Sequence, residues 1–133
     1  MRYFYKSLSL FFLILIPLLV YSDTEKKIKI AHIIQSSELV LKKLNQNTDL
    51  VNFQDYLKNS RAILIFPEVY EGGLILGAKG GNGILLIRRS KENEFSGPFF
   101  YSIGGISVGL QLGAKSGKVV MTIMTNRGLK SVL

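Results

Sequence analysis

With nine acids, one histidine and no cysteine, this 133-residue chain has a thin supply of titratable groups that could converge for catalysis. Most of the acids fall in helical stretches or in the polar segment around Glu92 and Glu94, which leaves Glu68 and Glu71 as the pair that suggests general acid and base. Those two flank Val69-Tyr70 in what reads as a turn after Pro67, where carboxylates are ordinarily just solvated. His32 lies in a helical pattern with no second histidine, no cysteine and no acid pair nearby, so it supplies neither a triad base nor a metal ligand set. Gly113-Ala-Lys-Ser-Gly-Lys-Val119 superficially suggests a phosphate-binding loop, but that motif needs four residues between its glycines and Ser or Thr after the lysine. Here three residues intervene and Val119 follows, so the segment reads as a tight turn. No G-x-G-x-x-G opens a helix. The chain is expected to be no enzyme and to need neither cofactor nor metal.

Positive charge is the more informative chemistry. The chain carries a net charge of +8, which favours anionic partners. Lys26, Lys27, Lys29, Lys42 and Lys43 flank the ends of an amphipathic helix predicted from Asp23 to Asn45, with Asp23 or Thr24 as its cap. Its apolar residues Ile30, Ile33, Ile34, Val40, Leu41 and Leu44 recur at three- and four-residue steps. The five lysines are therefore candidate lipid-binding residues, able to sit at headgroup level on an anionic phospholipid surface. The apolar stripe has two available seats, in the membrane or on the sheet. Packing on the sheet is the commoner fate of such a stripe in a globular domain.

The remaining elements follow in chain order. Met1–Lys6 carries two positive charges, Leu8–Val20 is an apolar core of thirteen residues, and Val20-Tyr21-Ser22 offers acceptable cleavage positions. This is the pattern of a secretory signal peptide. The apolar core, interrupted by Pro17, is shorter than the roughly 20 residues a spanning helix needs. The mature chain is then expected to be residues 23–133, one small exported domain of the periplasm or cell envelope, peripheral to the membrane, with no nucleic-acid partner. Its 15 basic and 9 acidic residues give +6, and without cysteine it holds no disulfide. Thr48 or Asp49 is expected to cap a second helix to about Asn59, with Leu50, Phe53 and Leu57 facing inward.

Beyond it, apolar runs at Ala62–Phe66 (stopped by Pro67), Leu74–Ala78, Ile84–Arg88, Ser107–Leu112 and Val119–Thr125 are predicted strands. Lys79-Gly-Gly-Asn-Gly83 reads as a hairpin turn and Arg89–Pro98 as the longest loop. Twelve of the thirteen glycines lie between Gly72 and Gly117, Gly109 and Gly113 among them. They leave one strand face bare for a bend, for close approach of another backbone, or for a ligand. The expected fold class is α+β, with N-terminal amphipathic helices packed on a glycine-rich, mainly antiparallel sheet. After Asn126 as cap, a last helix begins, with Leu129, Val132 and Leu133 on a face expected to stay uncovered.

Ile63-Leu-Ile-Phe-Pro-Glu-Val69, Gly72-Gly73, Gly80-Gly-Asn-Gly-Ile-Leu-Leu86 and Ser96-Gly-Pro-Phe-Phe-Tyr-Ser-Ile-Gly-Gly-Ile-Ser-Val-Gly-Leu-Gln-Leu-Gly113 stand in an order and spacing that resemble the SYLF domain. That is a lipid-binding family found in bacteria and in eukaryotic actin-patch proteins. The resemblance runs from about Lys29 to Leu133, strongly after Arg61. It implies membrane-lipid binding without enzyme activity. The family's motifs assign no lipid ligand to a matching position, so the five lysines rest on charge and periodicity alone. The family pattern continues with a further glycine-rich strand, so residues 23–133 are expected to form a partial SYLF-like domain. The alternative is a protein-interaction or structural envelope module whose smooth glycine face docks a partner backbone without lipid.

Overall fold

The computed structural model describes residues 2–73, 76–89, 94–108 and 113–133. The chain divides into two units, Met1–His32 and Ile33–Leu133. Helix α1 spans Arg2–Gln46 and so contributes to both. Asp23 and Thr24 lie inside α1, which runs on through Pro17, so contrary to expectation neither stands at the helix N-terminus as its cap. Asp23 Oδ2 instead meets Lys27 Nζ one turn on, at 3.4 Å. Among the described residues no helix is long and apolar enough to cross a membrane.

The second unit is α+β. After α1 come a 3₁₀ turn at Thr48–Leu50, helix α2 (Val51–Asn59), strands β1 (Ala62–Gly73), β2 (Leu76–Arg88), β3 (Phe95–Val108) and β4 (Gly113–Ile123), and helix α3 (Asn126–Val132). The strands pair antiparallel in the order β3-β2-β1-β4. Alternation along β1 sends Ile63 and Ile65 to one face and Ala62, Leu64 and Phe66 to the other. On the first face Ile63, Ile65 and Ile84 pack with Val40 of α1, flanked by Ile33, Leu41, Leu44, Leu57 and Val120. On the second face Leu129 and Val132 of α3 join Ala62, Leu64, Phe66 and Leu85. The expectation that Leu129, Val132 and Leu133 stay uncovered therefore holds for Leu133 alone, which is 71 % exposed. The sheet itself offers α3 an apolar seat, and Tyr101 fixes it there by donating its hydroxyl to the carbonyl of Val132 at 3.0 Å.

The strands are longer than the apolar runs suggest. β1 does not stop at Pro67: it continues to Gly73 through a bulge. Ile65 pairs with Ile84 and Glu68 with Asn82, while on the other side Phe66 pairs with Val119 and Val69 with Gly117, so β1 carries one extra residue on both sides. A bulge leaves one residue unpaired, and a proline there forfeits no ladder bond. It also restores the parity of the strand, so that Val69 joins Phe66 on the second face.

Lys79–Gly83 is likewise no turn. It lies mid-strand in β2, with Lys79–Asn82 paired to β1 and β3 at once and Gly83 paired to Tyr101 of β3. A Cβ on Gly81 or Gly83 would run into the carbonyl oxygen of Glu68 or Ile65, so these two glycines let the bulged backbone of β1 come close. Gly113–Lys118 is part of β4 rather than a turn. Phe95–Pro98, read as the end of a loop, opens β3. Of the expected strands, Leu74 and Ile75 and positions 109–112 lie outside the described residues.

Candidate lipid-binding site

All five candidate lysines are exposed. Lys26, Lys27 and Lys29 belong to the first unit and Lys42 and Lys43 to the second, so the structure assigns them to two separate regions. Every residue from Asp23 to His32 is exposed, including Ile28 at 65 % and Ile30 at 43 %. Basic and apolar side chains thus stand together in water along this segment. The apolar stripe divides at the same place. Ile33, Val40, Leu41 and Leu44 pack on the sheet, whereas Ile30 and Ile34 do not join them. The fully buried Ser37 lies between Ile33 and Val40, its hydroxyl without a hydrogen-bond partner.

Lys43 has a second setting. It borders an open groove of about 360 Å³ formed by the end of α1, the start of α2 and β4, with Val40, Leu44, Phe53 and Val120 as apolar lining and Lys118 across from it. Local chemistry builds the corner. Asn47, not Thr48 or Asp49, caps the 3₁₀ turn, its Oδ1 accepting from the amide of Asp49 at 2.9 Å. The Nε2 of Gln54 lies 3.0–3.1 Å from the carbonyl oxygens of Leu44, Asn45 and Asn47 and shares its protons among them. Two of these carbonyls also accept from the backbone, Leu44 from the amide of Asn47 at 3.4 Å and Asn47 from that of Leu50 at 3.2 Å, so Gln54 adds to the pairing where α1 ends. At the far end of α2, Arg88 donates from Nη2 to the carbonyl of Leu57 at 2.8 Å and from Nε to that of Ser60 at 2.9 Å. Its guanidinium also lies over the Phe95 ring, 4.7 Å from the centroid. The corner is thereby tied to the end of α1 through Gln54 and to the sheet through Arg88.

Glu68 and Glu71 sit on strand β1, not in a turn, and their odd spacing beyond the bulge places them on opposite faces. They cannot act as a paired acid and base. Glu68 Oε2 accepts instead from the Tyr70 hydroxyl at 2.8 Å. That hydrogen bond, with the negative charge of the carboxylate, raises the Tyr70 pKa above its ordinary 10.0. Among the described residues no three His, Cys, Asp or Glu side chains gather as a metal site.

Compared with known proteins, the chain matches no family model, no curated protein and no solved structure. Sequence reasoning named Lys43 but missed its neighbour Lys118. The available signal was alternation: Lys118 and Val120 share a face of a strand, a reading that the assignment of Gly113–Lys118 as a turn concealed.

Proposed function

We propose that this is an exported envelope protein that binds anionic phospholipid through a SYLF-like domain. The observation that carries the reading is the Asp23–His32 segment, where Lys26, Lys27 and Lys29 are interleaved with Ile28 and Ile30, all of them exposed. Such a segment gains from an anionic surface twice, through charge at headgroup level and through apolar side chains that leave water. The exposed Asp23–Lys27 pair is no obstacle, since a surface pair of this spacing is worth only about 0.3–0.5 kcal/mol. The motif resemblance and the signal-peptide pattern of Met1–Ser22 support the same reading, and envelope-derived protein should begin at or near Asp23. A protein-interaction module is the second reading. Open space above Gly117 favours it, where a Cβ would meet nothing within 4 Å.

Cosedimentation with neutral vesicles and with vesicles containing phosphatidylglycerol tests the proposal. Each lysine near the anionic surface should contribute about 1 kcal/mol, screened by salt over roughly 10 Å at 0.1 M. Changing Lys26, Lys27 and Lys29 to Gln should weaken binding more than changing Lys42 and Lys43. Equal binding to neutral vesicles would remove the electrostatic part of the reading. No binding by folded protein would transfer it to the protein-interaction module.

A further inference from the structure

We infer that the groove between α1, α2 and β4 holds the chain of a single-chain anionic amphiphile, a medium-chain fatty acid, with its carboxylate between Lys43 and Lys118. The groove's apolar lining comes from three elements: Val40 and Leu44 of α1, Phe53 of α2 and Val120 of β4. Its volume of about 360 Å³ falls within the roughly 300–1,000 Å³ of small-molecule pockets. Charge chooses the occupant. Among the described residues, both charged side chains that line the groove are lysines, and no carboxylate lines it. An apolar trough alone would accept any hydrophobic segment. Two ammonium groups beside it select an acceptor anion joined to an apolar tail, because each can donate a charge-assisted hydrogen bond to the same headgroup. The capping of Leu44, Asn45 and Asn47 by Gln54 holds the corner in shape before any ligand arrives. The fatty acid sits in a cleft of the second unit rather than on the exposed Asp23–His32 segment, so this inference goes beyond binding to a membrane surface.

The chain contains no tryptophan, so Phe53→Trp in the full chain makes a fluorescent reporter confined to the groove. Decanoate, titrated below its micelle threshold and without vesicles, should produce a saturable blue shift with one-to-one stoichiometry. Adding Lys43→Gln and Lys118→Gln should weaken decanoate binding about tenfold or more, the loss of charge-assisted hydrogen bonds, and leave binding of the neutral decanol unchanged. Calorimetric titration of the chain with Phe53 retained should reproduce the same ratio, which guards against the reporter altering the groove. No saturable signal from protein folded by circular dichroism, or decanoate binding as tight after loss of both lysines, would overturn the inference. Because no vesicle is present, failure here is distinct from failure of the membrane test.

Discussion

At one end of the sheet Ala62, Ile65 and Leu85 have no exposed surface, while past the bulge at Pro67 Tyr70 of β1 is 58 % exposed and Gly104 and Gly105 of β3 are exposed as well. The ladder continues across both ends without interruption in kind: Ile65 pairs with Ile84, and Tyr70 pairs with Gly80. What changes is the supply of side chains and of helices to cover them. The aliphatic end receives α1 and α2 on one face and α3 on the other. At the other end Gly80, Gly81, Gly104 and Gly105 bring no side chain to bury. Backbone pairing therefore extends a strand well beyond the stretch whose burial stabilises it, since hydrogen bonds exchanged with water contribute modestly while apolar burial supplies most of the gain.

The largest effect should come from emptying the covered end. Ile65→Ala leaves a cavity at a fully buried position and should cost roughly 2–5 kcal/mol in urea unfolding, whereas Tyr70→Ala at the open end should change stability by about 0.5 kcal/mol or less. Similar costs at the two positions would break the contrast.

Glycines sharpen it next. Gly83→Ala drives a Cβ into the carbonyl of Ile65 and toward the Phe66 ring, and should cost about 1–3 kcal/mol. Gly117→Ala meets nothing within 4 Å and should be neutral or stabilising by about 0.5 kcal/mol, through lower backbone entropy in the unfolded chain. A tolerated Gly83→Ala would mean that the bulge of β1 can move away from β2.

The smallest effect belongs to Tyr70. Its raised pKa means that the folded state favours the protonated phenol. The contribution of the Tyr70–Glu68 hydrogen bond is thus complete below the ordinary value of 10.0 and lost as pH rises through the folded pKa. Phenolate absorbance should show Tyr70 titrating late, returning toward 10.0 in Glu68→Gln. A titration indifferent to that substitution would dissociate Glu68 from the shift.

Periodicity and composition were enough to determine the α+β class, the strand at Ala62–Phe66, the sheet-facing residues from Ile33 to Leu44, and α2 with Leu57 inward. Each depends on a pattern that neighbouring residues create by themselves. Charge and spacing likewise identified the exposed lysines. Tertiary structure alone decided that Pro67, Gly80–Gly83 and Gly113–Gly117 belong to strands, because pairing with neighbouring strands overrides local turn preference, even at the edge strand β4 with β1 as its one partner, and a bulge absorbs the proline. It also decided that Leu129 and Val132 find a seat on the sheet, and that Lys118 stands across a groove from Lys43. Residues so distant in the chain meet only when helix and strand pack on one face, and no local pattern encodes that meeting.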